Sequence, residues 1–204
     1  MPRSNRHHAN LRCIPLGQIL DLLKELGVDG RTLVFFSSDN GAPGKDFGDL
    51  FESNGKLRGW KGELSEGGIR VPMIARWPGK VPAGKECRAP MYFADFMPTA
   101  LGLAGLRPPS CDGQDVLPLL TGKQADLPAR FLYWESPGKR FEQAVRFGRW
   151  KGYRVGLDGA LELYDLINDP SEKRNIAGAN PEVVAQIRKY LEGARTESPN
   201  WPTL

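Results

Sequence analysis

The chain is poor in the residues that usually announce a site. Only three cysteines and two histidines occur in 204 residues. Cys13, Cys87 and Cys111 are far apart and odd in number, so they give neither zinc-ligand spacing nor a disulfide framework. No apolar run of about 18 residues exists, and no segment reads as a transmembrane helix. The basic opening, Met1 to Asn10, lacks the apolar core that a secretory signal carries after its charged region. As written, the chain is expected in the cytoplasm; for a longer parent a periplasmic or secreted address stays open. Blocks of like charge are missing too: a net charge of +4 is spread among acids, which implies weak attraction for anions and no nucleic-acid footprint. No internal repeat appears, and His7-His8 in a polar arm reads as solvated rather than metal-binding.

What is present is enough hydrophobic sequence for a real core, 40% of residues with five tryptophans. Residues 1–15 show no periodicity and are expected as a loose arm. Ile19, Leu22, Leu23 and Leu26 then share one helical face, and Gly27 is a helix stop. Leu33 to Phe36 reads as a short buried strand that ends at Ser37-Ser38-Asp39-Asn40-Gly41. An Asp carboxylate beside an Asn carbonyl offers two hard oxygen donors suited to calcium or magnesium. An Asn-Gly turn capped by Asp39 is the alternative, but Ala42-Pro43-Gly44 follows where a hairpin would need an alternating strand. Residues 42–62 are expected as a long, functional loop, and Val71–Trp77 as a second strand closed by Pro78-Gly79. Tyr92 to Leu106 reads as a helix interrupted by Pro98. Beyond Arg107, strands at Phe131–Glu135, Gln143–Phe147, Trp150–Tyr153 and Leu161–Leu166 suggest an antiparallel meander, closed by a helix from Pro181 to Glu192.

Several of these pieces, in this order, resemble the carboxyl-terminal half of the sulfatase (arylsulfatase) family. They include Thr32–Gly41, Leu57-Arg-Gly-Trp-Lys-Gly62, Glu66-Gly-Gly-Ile-Arg-Val-Pro72, Asp95-Phe-Met-Pro-Thr99, Gly148-Arg-Trp-Lys151, Glu162-Leu-Tyr-Asp-Leu166, Asp169-Pro170 and Glu172…Asn175. The resemblance implies an α/β chain: the C-terminal part of an alkaline-phosphatase-like fold plus a small antiparallel sheet with a packed C-terminal helix. It divides the chain into an unmatched arm (1–16), the C-terminal part of the catalytic α/β domain (17–107) and a C-terminal subdomain (108–204). It further implies that Asp39 and Asn40 ligate calcium or magnesium, and that Lys61 contacts the sulfate ester as a catalytic and substrate-binding residue. For Glu66, Gly67, Gly68 and Arg70 the expectation is structural. The two glycines would permit backbone angles closed to other residues, and an Arg70–Glu66 pair would pin the turn that presents Lys61. Arg58 is a weaker candidate for anion contact, and Trp60 is expected to pack under the loop.

The chain also departs from that pattern. The family's nucleophile is a formylglycine made from the first residue of a Cys/Ser-x-Pro-x-Arg motif. Cys13-Ile-Pro-Leu-Gly17 imitates the motif, but Gly17 stands where the arginine belongs. The implied function is sulfuric ester hydrolysis on aryl or carbohydrate sulfates, by a chain expected to bind metal weakly and to be inactive alone. Its expected partners are a sulfate ester substrate and either a second copy or a missing N-terminal half, with no membrane and no nucleic acid. Two alternatives are a phosphodiesterase or phosphonate hydrolase of the same superfamily, and a non-catalytic anion-binding fragment.

Overall fold

A computed structural model describes residues 5–44, 51–137 and 140–200, with side chains from residue 15 onward. In chain order it contains α1 (Asn5–Glu25), β1 (Val34–Ser37), a single helical turn at Glu66–Ile69, β2 (Met73–Arg76), α2 (Phe96–Leu103) and a further turn at Leu117–Leu120. Then follow β3 (Phe131–Ser136), β4 (Glu142–Phe147), β5 (Trp150–Val155), β6 (Glu162–Asp165) and α3 (Pro181–Leu191). Contacts divide the chain into two units, Met1–Ser37 with Met73–Leu127, and Ser38–Pro72 with Pro128–Leu204. This grouping differs from the division drawn along the sequence, because residues 38–72 are bonded to the C-terminal sheet.

In the first unit the expected loose arm is helical from Asn5, with Pro15 inside the helix. Ala9, Leu11 and Arg12 favour helix intrinsically, a local tendency that acts without an apolar stripe. The side chains of His7, His8 and Cys13 lie outside the described residues. The helix ends as expected: Gly27 adopts φ +68°, its N–H bonds Lys24 O at 3.0 Å, and Val28 N–H bonds Leu23 O at 3.0 Å. Only glycine takes that conformation without steric cost.

β1 pairs antiparallel with β2, Val34 opposite Arg76 and Ser37 opposite Met73. Arg76 clamps Asp29 through two hydrogen bonds of 2.6 and 3.0 Å, and Trp77 Nε1 donates to Gly30 O at 2.9 Å. The strand is not buried as its apolar run suggests, since Phe36 is 45% and Ile74 59% exposed. Among the described residues no second layer covers this face of the two-stranded ribbon, and an apolar run marks the tendency to be covered rather than the cover itself. Pro98 does not interrupt α2; it falls in the first turn, where its missing N–H has no intrahelical partner. Thr99, also in that turn, donates to Asp95 O at 2.7 Å and accepts from Val116 N–H at 3.0 Å.

The second unit is built on a meander in which β3, β4, β5 and β6 are neighbours in sequence order and all pairs are antiparallel. Period-2 alternation gives the sheet two faces. On one, Val145, Leu161 and Leu163 pack with Ile187 and Leu191 of α3, whose spacing sets both on one side of the helix. Each fully buried side chain there contributes about 1.5–3 kcal/mol. Opposite Val145, Gly152 leaves room for Ile187, whose Cγ2 lies 2.9 Å from where a Cβ would stand. The other face carries Lys151 and Tyr164, which are partners across β5 and β6.

Candidate functional site

The site is assembled by backbone before any side chain acts. Gly41 N–H donates to Gly68 O at 2.9 Å, Lys61 N–H to Ala42 O at 2.8 Å, and Gly67 N–H to Arg58 O at 2.6 Å. Asn54 adds a brace, accepting from Ala42 N–H at 3.1 Å and donating to Gly59 O at 2.6 Å. These bonds tie the segment after β1 to the loop carrying Lys61 and to the Glu66–Ile69 turn. They require strands of backbone to touch. A Cβ on Gly41 would stand 1.8 Å from Gly67 O, one on Gly67 2.3 Å from Gly59 O, and one on Gly68 2.1 Å from Glu63 O. Gly67 and Gly68 sit in ordinary helical conformation, so the expected role in unusual backbone angles is corrected: both are glycine because another chain segment occupies the side-chain position.

On this frame Asp39 and Lys61 are exposed, and Asn40 is half-buried. The Asp39 carboxyl is held below its ordinary pKa, first by a hydrogen bond from the Asn40 side chain and then by its own backbone amide, with the Lys61 charge adding to the effect. Asp39 therefore stays an anion well into the acid range. Asn40 Oδ1 is buried and has no hydrogen-bond partner among the described residues. An orphaned amide oxygen beside a carboxylate is the donor chemistry a hard cation takes, so the pair fits calcium or magnesium in kind. In number it falls short. No group of three or more His, Cys, Asp or Glu side chains able to hold a metal ion occurs among the described residues, whereas calcium takes about 6–8 oxygens.

Glu66 is turned away from this surface and is buried. Its Oε1 accepts a 3.0 Å hydrogen bond from Lys151 Nζ, and Lys151 also makes a 2.9 Å ion contact with Glu172. Glu172 Oε2 in turn accepts from Glu66 N–H at 2.8 Å, at the head of the helical turn. Arg70 stands 3.9 Å from Glu66 and is half-exposed, so it is a weak pin beside Lys151. Arg146 reaches Glu66 at the same 3.9 Å, its own pKa drawn down chiefly by burial against the pull of that carboxylate. Arg58 is exposed and its guanidinium is held by protein partners. Its guanidinium donates to Glu172 O at 3.1 Å and to Tyr164 Oη at 3.4 Å, and lies 5.1 Å from the Tyr164 ring. A cleft of about 350 Å³ opens alongside, lined by Arg58, Glu63, Ser65, Glu142, Tyr153 and Glu162, where burial and then the Glu142 charge push the Tyr153 hydroxyl up to about 12.

Lys151 and Glu172 received no role from the sequence, although both lie in motifs it singled out. One signal was available: a lysine within a strand, between Trp150 and Gly152, must point to a face of the sheet and needs a partner if that face is covered.

The sulfatase family model matches residues 15–106. The chain is 42% identical over 217 residues to steryl-sulfatase of Homo sapiens, covering 88% of this chain and 37% of that protein. It is 37% identical over 203 residues to N-acetylgalactosamine-6-sulfatase of Canis lupus familiaris, covering 85% and 39%. Among solved structures, the PsFucS1 sulfatase from Pseudoalteromonas sp. superposes with a TM-score of 0.72 at 25% identity, covering 92% of this chain and 41% of that one. A protein from the Bacteroides thetaiotaomicron locus for metabolism of multiple glycosaminoglycans gives a TM-score of 0.73 at 29% identity, covering 89% and 42%. The chain thus spans between about a third and two fifths of the length of these curated relatives.

Proposed function

This chain belongs to the sulfatase family and has the C-terminal part of its fold, and we propose that it supplies the later half of a sulfuric ester hydrolase site. The substrate class is an aryl or carbohydrate sulfate. Asp39 and Asn40 would hold calcium, or magnesium, which when bound supplies positive charge beside the sulfate oxygens. Lys61 binds and orients the ester: its ammonium donates to a sulfate oxygen and offsets the charge that gathers on the leaving oxygen. One observation carries the reading, the gathering of the Asp39 carboxylate, the orphaned Asn40 oxygen and the Lys61 ammonium on one backbone frame.

No Cys/Ser-x-Pro-x-Arg motif occurs in the sequence, so on this reading the chain alone binds without turning over. Calcium titration of the ¹⁵N-labelled chain tests it. The Asn40 side-chain amide and the Gly41 amide should move only above about 1 mM calcium, because two or three oxygens are a fraction of a full ligand set. Asp39→Asn should abolish the movement. Submicromolar binding would overturn the incomplete site, and movement that survives Asp39→Asn would overturn the ligand assignment. An aryl sulfate assay on a chain completed with the N-terminal part of a relative, with Lys61→Ala as control, tests the catalytic half.

A further inference from the structure

The sheet face opposite α3 holds an ionic cluster that the proposed chemistry does not use. Lys151, the second residue of β5, has a side-chain exposure of 0%, with Glu172 at 0% and Glu66 at 2%. Two carboxylates share one ammonium, and Arg58 and Arg146 stand at 3.9 Å from the outer oxygens. A buried arrangement of this kind adds little net stability, since desolvation offsets most of the attraction. What it adds is direction, because Lys151 meets both carboxylates only where Glu66 and Glu172 stand within about 3 Å of its ammonium.

A second observation is independent of the first. Glu172 has φ +52°, in the left-handed region that disfavours any residue with a Cβ other than Asn or Asp. Its turn is fixed from both sides: Asp169 Oδ2 accepts from Lys173 and Arg174 N–H at 2.8 and 2.9 Å, and Ser171 Oγ donates to Lys56 O at 2.6 Å. The strain is held where the carboxylate reaches both Lys151 and the Glu66 amide. Glu66 is also the residue whose neighbours, Gly67 and Gly68, carry the bonds to Arg58 and Gly41.

From this chain of contacts we infer that Lys151 is a positioning residue: bridging Glu66 and Glu172, it sets from the sheet the placement of the segment that presents Asp39, Asn40 and Lys61. It touches neither substrate nor metal. The inference rests on the reading of those three residues as the site being positioned.

The test uses the full ¹⁵N-labelled chain as wild type, as Lys151→Met, and as the neutralised triple variant Lys151→Met/Glu66→Gln/Glu172→Gln. The readouts are hydrogen exchange at the Gly41 and Gly67 amides, exchange at Val145 and Ile187 as a reference for the core, and the Asn40 side-chain amide signal. Lys151→Met should move the Asn40 signal and speed exchange at Gly41 and Gly67 by about a hundredfold more than at Val145 and Ile187, whose exchange reports the loss of overall stability. Should the single variant fail to fold, the triple variant leaves no charge stranded and carries the test. It should keep wild-type exchange at Val145 and Ile187 while Gly41 and Gly67 stay unprotected. Wild-type protection at Gly41 and Gly67 in a folded variant overturns the inference. So does loss of protection at all four amides by a common factor in both variants, which would make the cluster a contributor to overall stability. No readout involves calcium or sulfate, so this result and the calcium titration fail separately.

Discussion

On one face of the β3–β6 sheet, Val145 and Leu163 meet Ile187 and Leu191; on the other, Lys151 meets Glu66 and Glu172. The first contact is apolar and non-directional, and its strength follows the area removed from water. The second is made of charges whose partners must stand at one distance and angle, and its net energy is small. The difference teaches what each is for. A helix such as α3 needs adhesion, and small shifts along the sheet are tolerated. A loop presenting a carboxylate, an amide oxygen and an ammonium needs a fixed place, which apolar contact does not specify.

The comparison can be broken, first and most strongly, at Lys151. Removing one partner of a buried pair leaves charge stranded, so Lys151→Met should cost about 3–5 kcal/mol in urea unfolding. The triple variant that also neutralises Glu66 and Glu172 should recover most of that loss; an equal or larger loss would mean that the charges stabilise the fold outright. On the apolar face, Ile187→Ala should cost about 3 kcal/mol in the same measurement, through lost transfer energy and a cavity. It should leave the Asn40 and Gly41 signals in place, and coupling to those signals would erase the distinction between the faces. Gly152→Ala is expected to cost about 2 kcal/mol, because its methyl would stand 2.9 Å from Ile187 Cγ2 and the isoleucine must shift.

The smallest effect lies at the end of β6. The hydrogen bond from Arg149 holds the Asp165 carboxyl below its ordinary pKa of 3.8. A carboxyl depressed in the folded state stabilises above its unfolded pKa, and that contribution is lost as pH falls through the folded value. Asp165→Asn should therefore be less stable than wild type at neutral pH. The gap should close below about pH 4 as wild-type Asp165 takes up its proton, which acid titration of both chains followed by circular dichroism would measure.

Local signals decided much of this. Gly27 as a helix stop, the four strands of the meander in order, and the α3 stripe of Val184, Ile187 and Leu191 follow from turn chemistry and periodicity, which act within a few residues. The family, too, was legible, since several motifs in register are a property of the sequence. Local reasoning failed where a residue's role depends on something distant in sequence. Gly67 and Gly68 looked like residues with special backbone angles and are instead places where Arg58, Gly59 and Glu63 press close. Nor did the sequence near Arg58 name the groups that hold its guanidinium, Tyr164 and the Glu172 carbonyl, more than a hundred residues away.

The sequence by itself determined the elements, their order and the kind of chemistry available: hard oxygens at Asp39 and Asn40 and an ammonium at Lys61. Only the tertiary structure decided that Lys151, 85 residues after Glu66, would be buried between two glutamates, and that this cluster would sit behind the site segment. The reason is physical. Helix and strand signals are short-range and repeat along the chain, while the burial of a charge is set by whichever segment covers it, and nothing near Lys151 in sequence names that segment.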